Sequence, residues 1–534
     1  MPHDDAFLTL DRRAFLGAGL ATGAVALIGG EMKGPHASRE LALEEATVEG
    51  LQAGLAAGHW TSADLVRRYR ARIRALDQAG PKLNSVIELN PDALATAKAL
   101  DAERKAGKVR GALHGIPVLI KDNIDTADRM KTTAGSLALA EAPAPKEDAF
   151  VAARLREAGA VILGKTNLSE WANFRSTRST SGWSGRGGQT RNPFALDRNP
   201  SGSSSGSAAA VSASLCAVAV GTETDGSIVS PAGSCGVVGL KPTVGLVGRS
   251  GIIPIAHSQD TAGPMTRTVR DAAILLSALA GEDPRDPATR GARGQDYARL
   301  LDPDGLRGAR IGVARAFFGR HPGVDRVMAK ALETLKAAGA VLVDPVDLPT
   351  AAAYRDAEFE VLLCEFKADL NAYLAARGGE VKDLAGLIAW NDAHADREMP
   401  HFGQELLIQA QAKGPLTDEA YLKALEKGQR LSREGLDRVL DTHRLDAIVA
   451  PTRGPAGLTD WIHGGDPGSA GCSAPPAVSG YPHLTVPAGF VSGLPVGLSF
   501  LGRAWSEGTL LRLGFAFEKA GGARRAPGFR PSAR

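Results

Sequence analysis

Apolar residues recur at a three-to-four spacing after Thr61, at Leu65, Val66, Tyr69, Ile73 and Leu76, which predicts an amphipathic helix with Thr61 as its N-cap. Asn90-Pro91 opens a second helix and Gly107 closes it. The rhythm then changes. Ile116 to Ile120 is a short continuous apolar run that ends in Lys121. Asp148 to Ala158 returns to helical spacing, and Ala160 to Leu163 is again a short apolar run. Ser207 to Leu215 reads as a helix and Ala217 to Val220 as another buried run. Short β-branched runs alternating with helices predict an α/β domain whose sheet is covered on both faces. From about 290 to 440, longer helical patterns with more charge, and few glycines beyond Gly379, predict a mostly helical subdomain or insertion. Leu445 to Pro451 then returns the chain to the core, and no repeat of roughly 20–50 residues is visible.

The N-terminus follows a different logic. Gly17 to Gly30 carries no charge, yet the apolar stretch from Phe15 falls short of the ~20 residues of a membrane span and suits a signal core instead. Arg12-Arg13-Ala14-Phe15-Leu16 just before it resembles a twin-arginine export signal. The serine usual before the arginine pair is missing, and Pro35-His36-Ala37 is the nearest approach to a cleavage site. Residues 1–40 are therefore expected to be a signal segment sending the folded chain, 41–534, to the periplasm; a cytoplasmic N-terminal helix is the competing expectation.

Composition narrows the rest. Of 534 residues 44% are apolar and 23% charged, which is globular usage. Lys and Arg number 62 against 59 Asp and Glu, too balanced to imply a nucleic-acid partner. Four cysteines without a C-x-x-C pair argue against a disulfide framework and a zinc site. The 63 glycines exceed the roughly 7% usual and point to several places where backbone approaches something closely.

Two motifs mislead. Gly159-Ala160-Val161-Ile162-Leu163-Gly164-Lys165-Thr166 spells a phosphate-binding loop, but its four linker residues read as a strand that follows a helix, the reverse of what phosphate cradling needs. Gly202-Ser203-Ser204-Ser205-Gly206 spells a hydrolase elbow centred on Ser204, but polar turn residues precede it where a strand is required. The same Ser/Gly run is nonetheless bracketed by apolar elements, so it is a loop on a packed core and not a linker. After the run at Ala217 to Val220, small residues at Thr224, Asp225 and Gly226 let backbone N–H groups converge near Ser227. A serine nucleophile needs a base. No histidine lies between His114 and His257, whereas Lys121 ends a buried run where desolvation lowers its pKa. No Ser-x-x-Lys occurs in the chain, which removes the penicillin-binding type of site.

These segments together resemble the amidase signature family over about 45–520. Leu119-Ile120-Lys121-Asp122-Asn123 is similar to its lysine segment, Gly202-Ser203-Ser204 to its Gly-Gly-Ser-Ser turn, and Gly226-Ser227-Ile228 to its Gly-Gly-Ser-Ile segment. Gly239 to Thr243 and Asp260 to Pro264 match further landmarks. The resemblance implies an amide hydrolase with a Ser-Ser-Lys triad: Ser227 as nucleophile, Ser203 as the bridging serine beside an unusual peptide geometry, and Lys121 as base. Thr224, Asp225, Gly226 and Ser204 would surround the oxyanion and substrate. It implies a mixed sheet core with helices on both faces, a peptide or small-molecule amide as substrate, and no metal or organic cofactor. Asp225 stands where a glycine is common, Glu223 where an aspartate is, and Val229 where an arginine is. The segment from Thr222 to Val229 is most similar to the bacterial peptide amidases, which remove ammonia from amidated peptides. The missing arginine and the export signal speak against the transfer-RNA amidotransferase branch. An aryl- or alkyl-amide hydrolase of the same family, or a non-catalytic binding protein on the same scaffold, would carry the same fold. For Asp225 two partners are expected, the N–H groups of its own turn or the leaving carboxamide NH₂ of a substrate.

Overall fold

Thr61 caps the helix Ser62–Ile73 through a reciprocal pair with Asp64, and Leu65, Val66, Tyr69 and Ile73 are its buried face. The computed structural model that shows this describes residues 42–465 and 471–533, so the signal-like segment lies outside the described residues. Thirteen strands follow in chain order: β1 (Val86–Leu89), β2 (Pro117–Lys121), β3 (Val161–Thr166), β4 (Trp183–Ser184), β5 (Gly188–Gln189), β6 (Val218–Glu223), β7 (Val238–Lys241), β8 (Thr261–Thr266), β9 (Arg310–Ala314), β10 (Val341–Val346), β11 (Ala447–Pro451), β12 (His483–Val491) and β13 (Leu494–Leu501). Strands β4 and β5 form a small hairpin, and the other eleven form one sheet in the order β1-β3-β2-β6-β8-β7-β12-β13-β11-β9-β10. The sheet is mixed: β3, β2 and β6 run parallel, as do β11, β9 and β10, with antiparallel pairing between.

Strands β2, β3 and β6 are buried at every position, which explains their unbroken apolar runs. The phosphate-loop look-alike is β3 itself, entered from the helix Phe150–Glu157. The helix Ser205–Ser212 is also buried throughout, because Ser, Gly and Ala leave no bulk between backbones. A Cβ at Gly206 would stand 2.3 Å from the Ser85 carbonyl oxygen and 2.4 Å from that of Asn167, so only glycine lets this helix sit there.

The stretch 290–440, expected to be mostly helical, also carries two strands. It contains β9 and β10, which flank the helix Pro322–Ala337 and extend the main sheet in parallel. The uninterrupted helical part begins at Arg355–Arg377 and ends with Glu419–Thr442. Its apolar side chains, among them Phe366, Leu370 and Leu407, pack with Trp171, Ile253 and Ile255 of the sheet domain's loops. The helical layer thereby forms one wall around the loops that follow β2, β3 and β6. Among the described residues no helix is long and apolar enough to cross a membrane.

Candidate active site

Parallel pairing of β2 with β6 brings the end of one strand beside the end of the other, Ile120 opposite Val220. Lys121 therefore points across the strand ends at the turn that precedes helix Ser205–Ser212. Its Nζ lies 2.8 Å from Ser203 Oγ, 2.8 Å from Thr222 Oγ1 and 3.3 Å from the Thr222 carbonyl oxygen. The side chain is wholly buried. Burial pushes its pKa from 10.5 down to about 7, with the Asp260 and Glu223 carboxylates pulling the other way. The Gly202–Ser203 peptide is cis, and the Ser203 carbonyl accepts from the Ser169 N–H at 3.0 Å.

Ser227 is presented by the loop after β6. The Ser204 N–H donates to the Ser227 carbonyl at 3.1 Å, so the two serine segments are joined through their backbones. Glu223 Oε2 accepts from the N–H groups of Ile228 at 2.6 Å and Val229 at 3.0 Å, which pins the far side of the loop. Gly226 turns it at φ +77°, a left-handed conformation that suits glycine. Among the described residues the N–H groups of Asp225, Gly226 and Ser227 meet no protein acceptor.

The remaining expected residues fall into place differently. Ser204 spends its hydroxyl on the strand end: it donates to the Thr222 carbonyl at 2.9 Å and accepts from the Thr222 N–H at 3.2 Å. It serves as a bolt between turn and strand and is neither an elbow nucleophile nor free for substrate. Thr224 donates its hydroxyl to Asp260, which also accepts from the N–H groups of Ile255 and Ala256. Asp225 lies beside Glu358 and Ser473, and its Oδ1 is buried with no hydrogen-bond partner among the described residues. Glu358, on the helix Arg355–Arg377, and Gln259 are site residues that sequence reading missed, for nothing in the local pattern marks them.

A cavity of about 380 Å³ abuts Thr222 and Thr224, walled by Ile253, Ile255 and Tyr373. At its rim His257, Glu365 and Asp369 lie within 4.8 Å of one another and form the one group among the described residues with a cation-like spacing. Their atoms are already matched. His257 Nδ1 is 2.8 Å from Asp369, and Glu365 accepts from the Ser258 N–H and the Tyr421 hydroxyl. The cluster clasps the loop before β8 to the helical layer.

Known proteins share this arrangement of strands and loops. Residues 64–511 match the family model described as Amidase. A protein of Arabidopsis thaliana described as a probable amidase is 42% identical over 505 residues, 92% of this chain and 93% of its own length. The crystal structure of native peptide amidase from Stenotrophomonas maltophilia is 53% identical, covers 91% of this chain and 99% of its own, and superposes with a TM-score of 0.87. A peptide amidase bound to the competitive inhibitor chymostatin is likewise 53% identical, covers 90% and 99%, and has a TM-score of 0.88.

Proposed function

We propose, for a chain that belongs to the amidase signature family and is an amide hydrolase, that it releases ammonia from the C-terminal carboxamide of peptides through an acyl-enzyme on Ser227. The observation that carries this reading is the 2.8 Å contact between the buried Lys121 amine and Ser203 Oγ, one residue before the amide that binds the Ser227 carbonyl. A neutral Lys121 gives two hydrogens to Thr222 and turns its lone pair to the Ser203 hydroxyl. Ser203 passes its proton to Lys121 and takes one from Ser227 as Ser227 Oγ attacks the amide carbon. The N–H groups of 225–227, with Thr224 at the loop entrance, hold the oxyanion, at about 3–4 kcal/mol per donor. The proton returns through Ser203 to the leaving nitrogen, ammonia departs, and water cleaves the ester to free the carboxylic acid and regenerate Ser227.

Asp225 fits this substrate class. A primary carboxamide offers two N–H donors, and the buried Oδ1 lacks one. Ammonia release measured over amidated peptides, free carboxamides, N-methylamides and anilides is expected to favour amidated peptides. Asp225→Asn is expected to raise the rate on N-methylamides relative to primary amides by about tenfold or more, since a group built to accept a substrate N–H discriminates against analogues lacking it. Parallel loss of both rates would leave Asp225 a holder of the loop only. Residues 1–40 direct export in this reading, supported by the Arg12-Arg13 pair ahead of an uncharged core. Replacing both arginines by lysine should leave the protein in the cytoplasmic fraction; an unchanged periplasmic yield would remove the signal.

A further inference from the structure

Helix Arg355–Arg377 belongs to the helical layer, yet its first turn reaches the nucleophile loop. Glu358 is buried there, and its carboxyl faces that of Asp225. Gln259 ties Glu358 to the same loop: its Nε2 donates to Glu358 Oε1 at 3.2 Å and to the Thr224 carbonyl at 3.4 Å. Two ionised carboxylates offer only acceptors and repel when buried side by side, so the pair holds one proton. Burial raises the pKa of both carboxyls, and the Asp225 charge adds to the push on Glu358, up to about 8, so the proton is placed on Glu358. The groups facing the pair agree. Lys241 at the end of β7 favours a charged Asp225, Arg355 on the same helix favours the charged form of both carboxyls, and the Ser473 hydroxyl stands beside Asp225. The Tyr354 phenol stays neutral, its pKa driven up by burial and by the two carboxyls. Asp225 is thus a carboxylate with Glu358 on one side and a buried, unpartnered Oδ1 on the other.

We propose that Glu358 is a positioning residue for amide recognition: its carboxylic O–H donates to Asp225 and holds that carboxylate with Oδ1 free to accept an N–H of the scissile amide. This rests on the role given to Asp225 above. The pair functions only while it keeps its single proton. Above about pH 8 Glu358 ionises, the two charges repel in a buried site, and Asp225 leaves its pose. Lys121 imposes the opposite limit, because it must lose its proton to act, which happens above about pH 7. Between them they confine efficient hydrolysis to a narrow bell.

The test is the pH dependence of kcat/KM for ammonia release from a C-terminally amidated dipeptide, with the wild-type enzyme and two variants. Wild type is expected to lose about tenfold per pH unit on the alkaline side. Glu358→Gln keeps the shape and donates to Asp225 through a carboxamide that does not ionise. It is expected to stay within about threefold of wild type near neutrality and to hold level to about pH 9.5, with the acid limb unmoved. Glu358→Ala leaves Asp225 unheld and is expected to lose about tenfold or more at every pH, chiefly through KM. A residue needed only for stability would show the Ala loss without any change of limb in the Gln variant. An alkaline limb that survives in Glu358→Gln, or one absent from wild type, overturns the proposal. Selectivity between primary and N-methyl amides at one pH reads Asp225 separately, so failure of that role and failure of this one leave different marks. Thermal melting of each variant confirms that a folded enzyme is being compared.

Discussion

Ser227→Ala is expected to lower ammonia release from an amidated peptide by at least about 10³-fold, since in the proposed cycle it deletes the oxygen that forms the acyl bond and leaves only binding and the loop N–H donors. The fold should not notice. The loop is held through backbone groups, by Glu223 to Ile228 and Val229 and by the Ser204 N–H to the Ser227 carbonyl, none of which involves the Ser227 hydroxyl. The midpoint of thermal unfolding should therefore stay within about 2 °C of wild type. Mass spectrometry of the wild type quenched during turnover should find the acyl group on the peptide that contains Ser227 and none on the variant. Retention of more than about one percent of the rate would place the nucleophile elsewhere. Ser204 is not a natural substitute, because its hydroxyl both donates to and accepts from the Thr222 backbone.

Lys121→Met is the second large effect. Removing the base is expected to cost about 10²–10⁴-fold, and raising the pH should not recover it, because no group remains to deprotonate. In the wild type the sign of the pH dependence is set by burial: the lysine pKa is lowered to about 7, so acidification through that value converts the base to an ammonium that cannot accept a proton. A wild-type profile that stays flat down to about pH 5 would rule out a lysine base. Stability should move the other way from activity. A lysine whose folded pKa lies below its unfolded one costs stability, fully at acidic pH and less as pH rises from about 7 towards 10.5. Methionine removes that cost and fills the same space. Thr222 stays satisfied, since its Oγ1 still receives the Asn123 amide at 3.0 Å and its carbonyl still receives the Ser204 hydroxyl at 2.9 Å, and the group left unpaired is the neutral Ser203 hydroxyl, a smaller cost than a buried ammonium. Lys121→Met should thus melt no lower than wild type at pH 6, measured by calorimetry, while being inactive. A large fall in melting temperature would mean that the ammonium is an integral part of the fold.

Glu223 and Lys241 show how the site balances its buried charge. Burial raises the Glu223 pKa while the Lys241 ammonium and two backbone N–H groups lower it; Lys241 in turn is pushed down to about 8 by burial and held up by Glu223 and Glu507. Each favours the charged form of the other across the site, and Glu223 Oε2 fastens the loop under Ser227 through the N–H groups of Ile228 and Val229.

Much of the central sheet could be read directly from the chain. The Thr61 helix, the buried runs at β2, β3 and β6, and the return at β11 all announce themselves in windows of five to twelve residues, because periodicity and capping are local. The false phosphate loop could be dismissed on the same ground. Lys121, Ser203 and Ser227 were legible as motifs, and parallel β2 and β6 put Lys121 against the Ser203 turn. Other elements were not legible. Strand β10 is an edge, half exposed, with Pro345 inside it, so it lacks the apolar run that marked its central counterparts. The hairpin of β12 and β13, in the middle of the sheet, was not anticipated either, since its place depends on pairing with β7 and β11. The polar atoms were least predictable. Which hydroxyl is spent on a strand end, as at Ser204, and which carboxyl stands beside Asp225, are decided by groups brought together from distant parts of the chain. By itself the sequence determined the elements, the strand interiors and the kinds of residue that could do chemistry, because these depend on neighbours a few positions away. Only the tertiary structure decided what those residues face, because desolvation, hydrogen-bond partnership and charge coupling act through space and not along the chain.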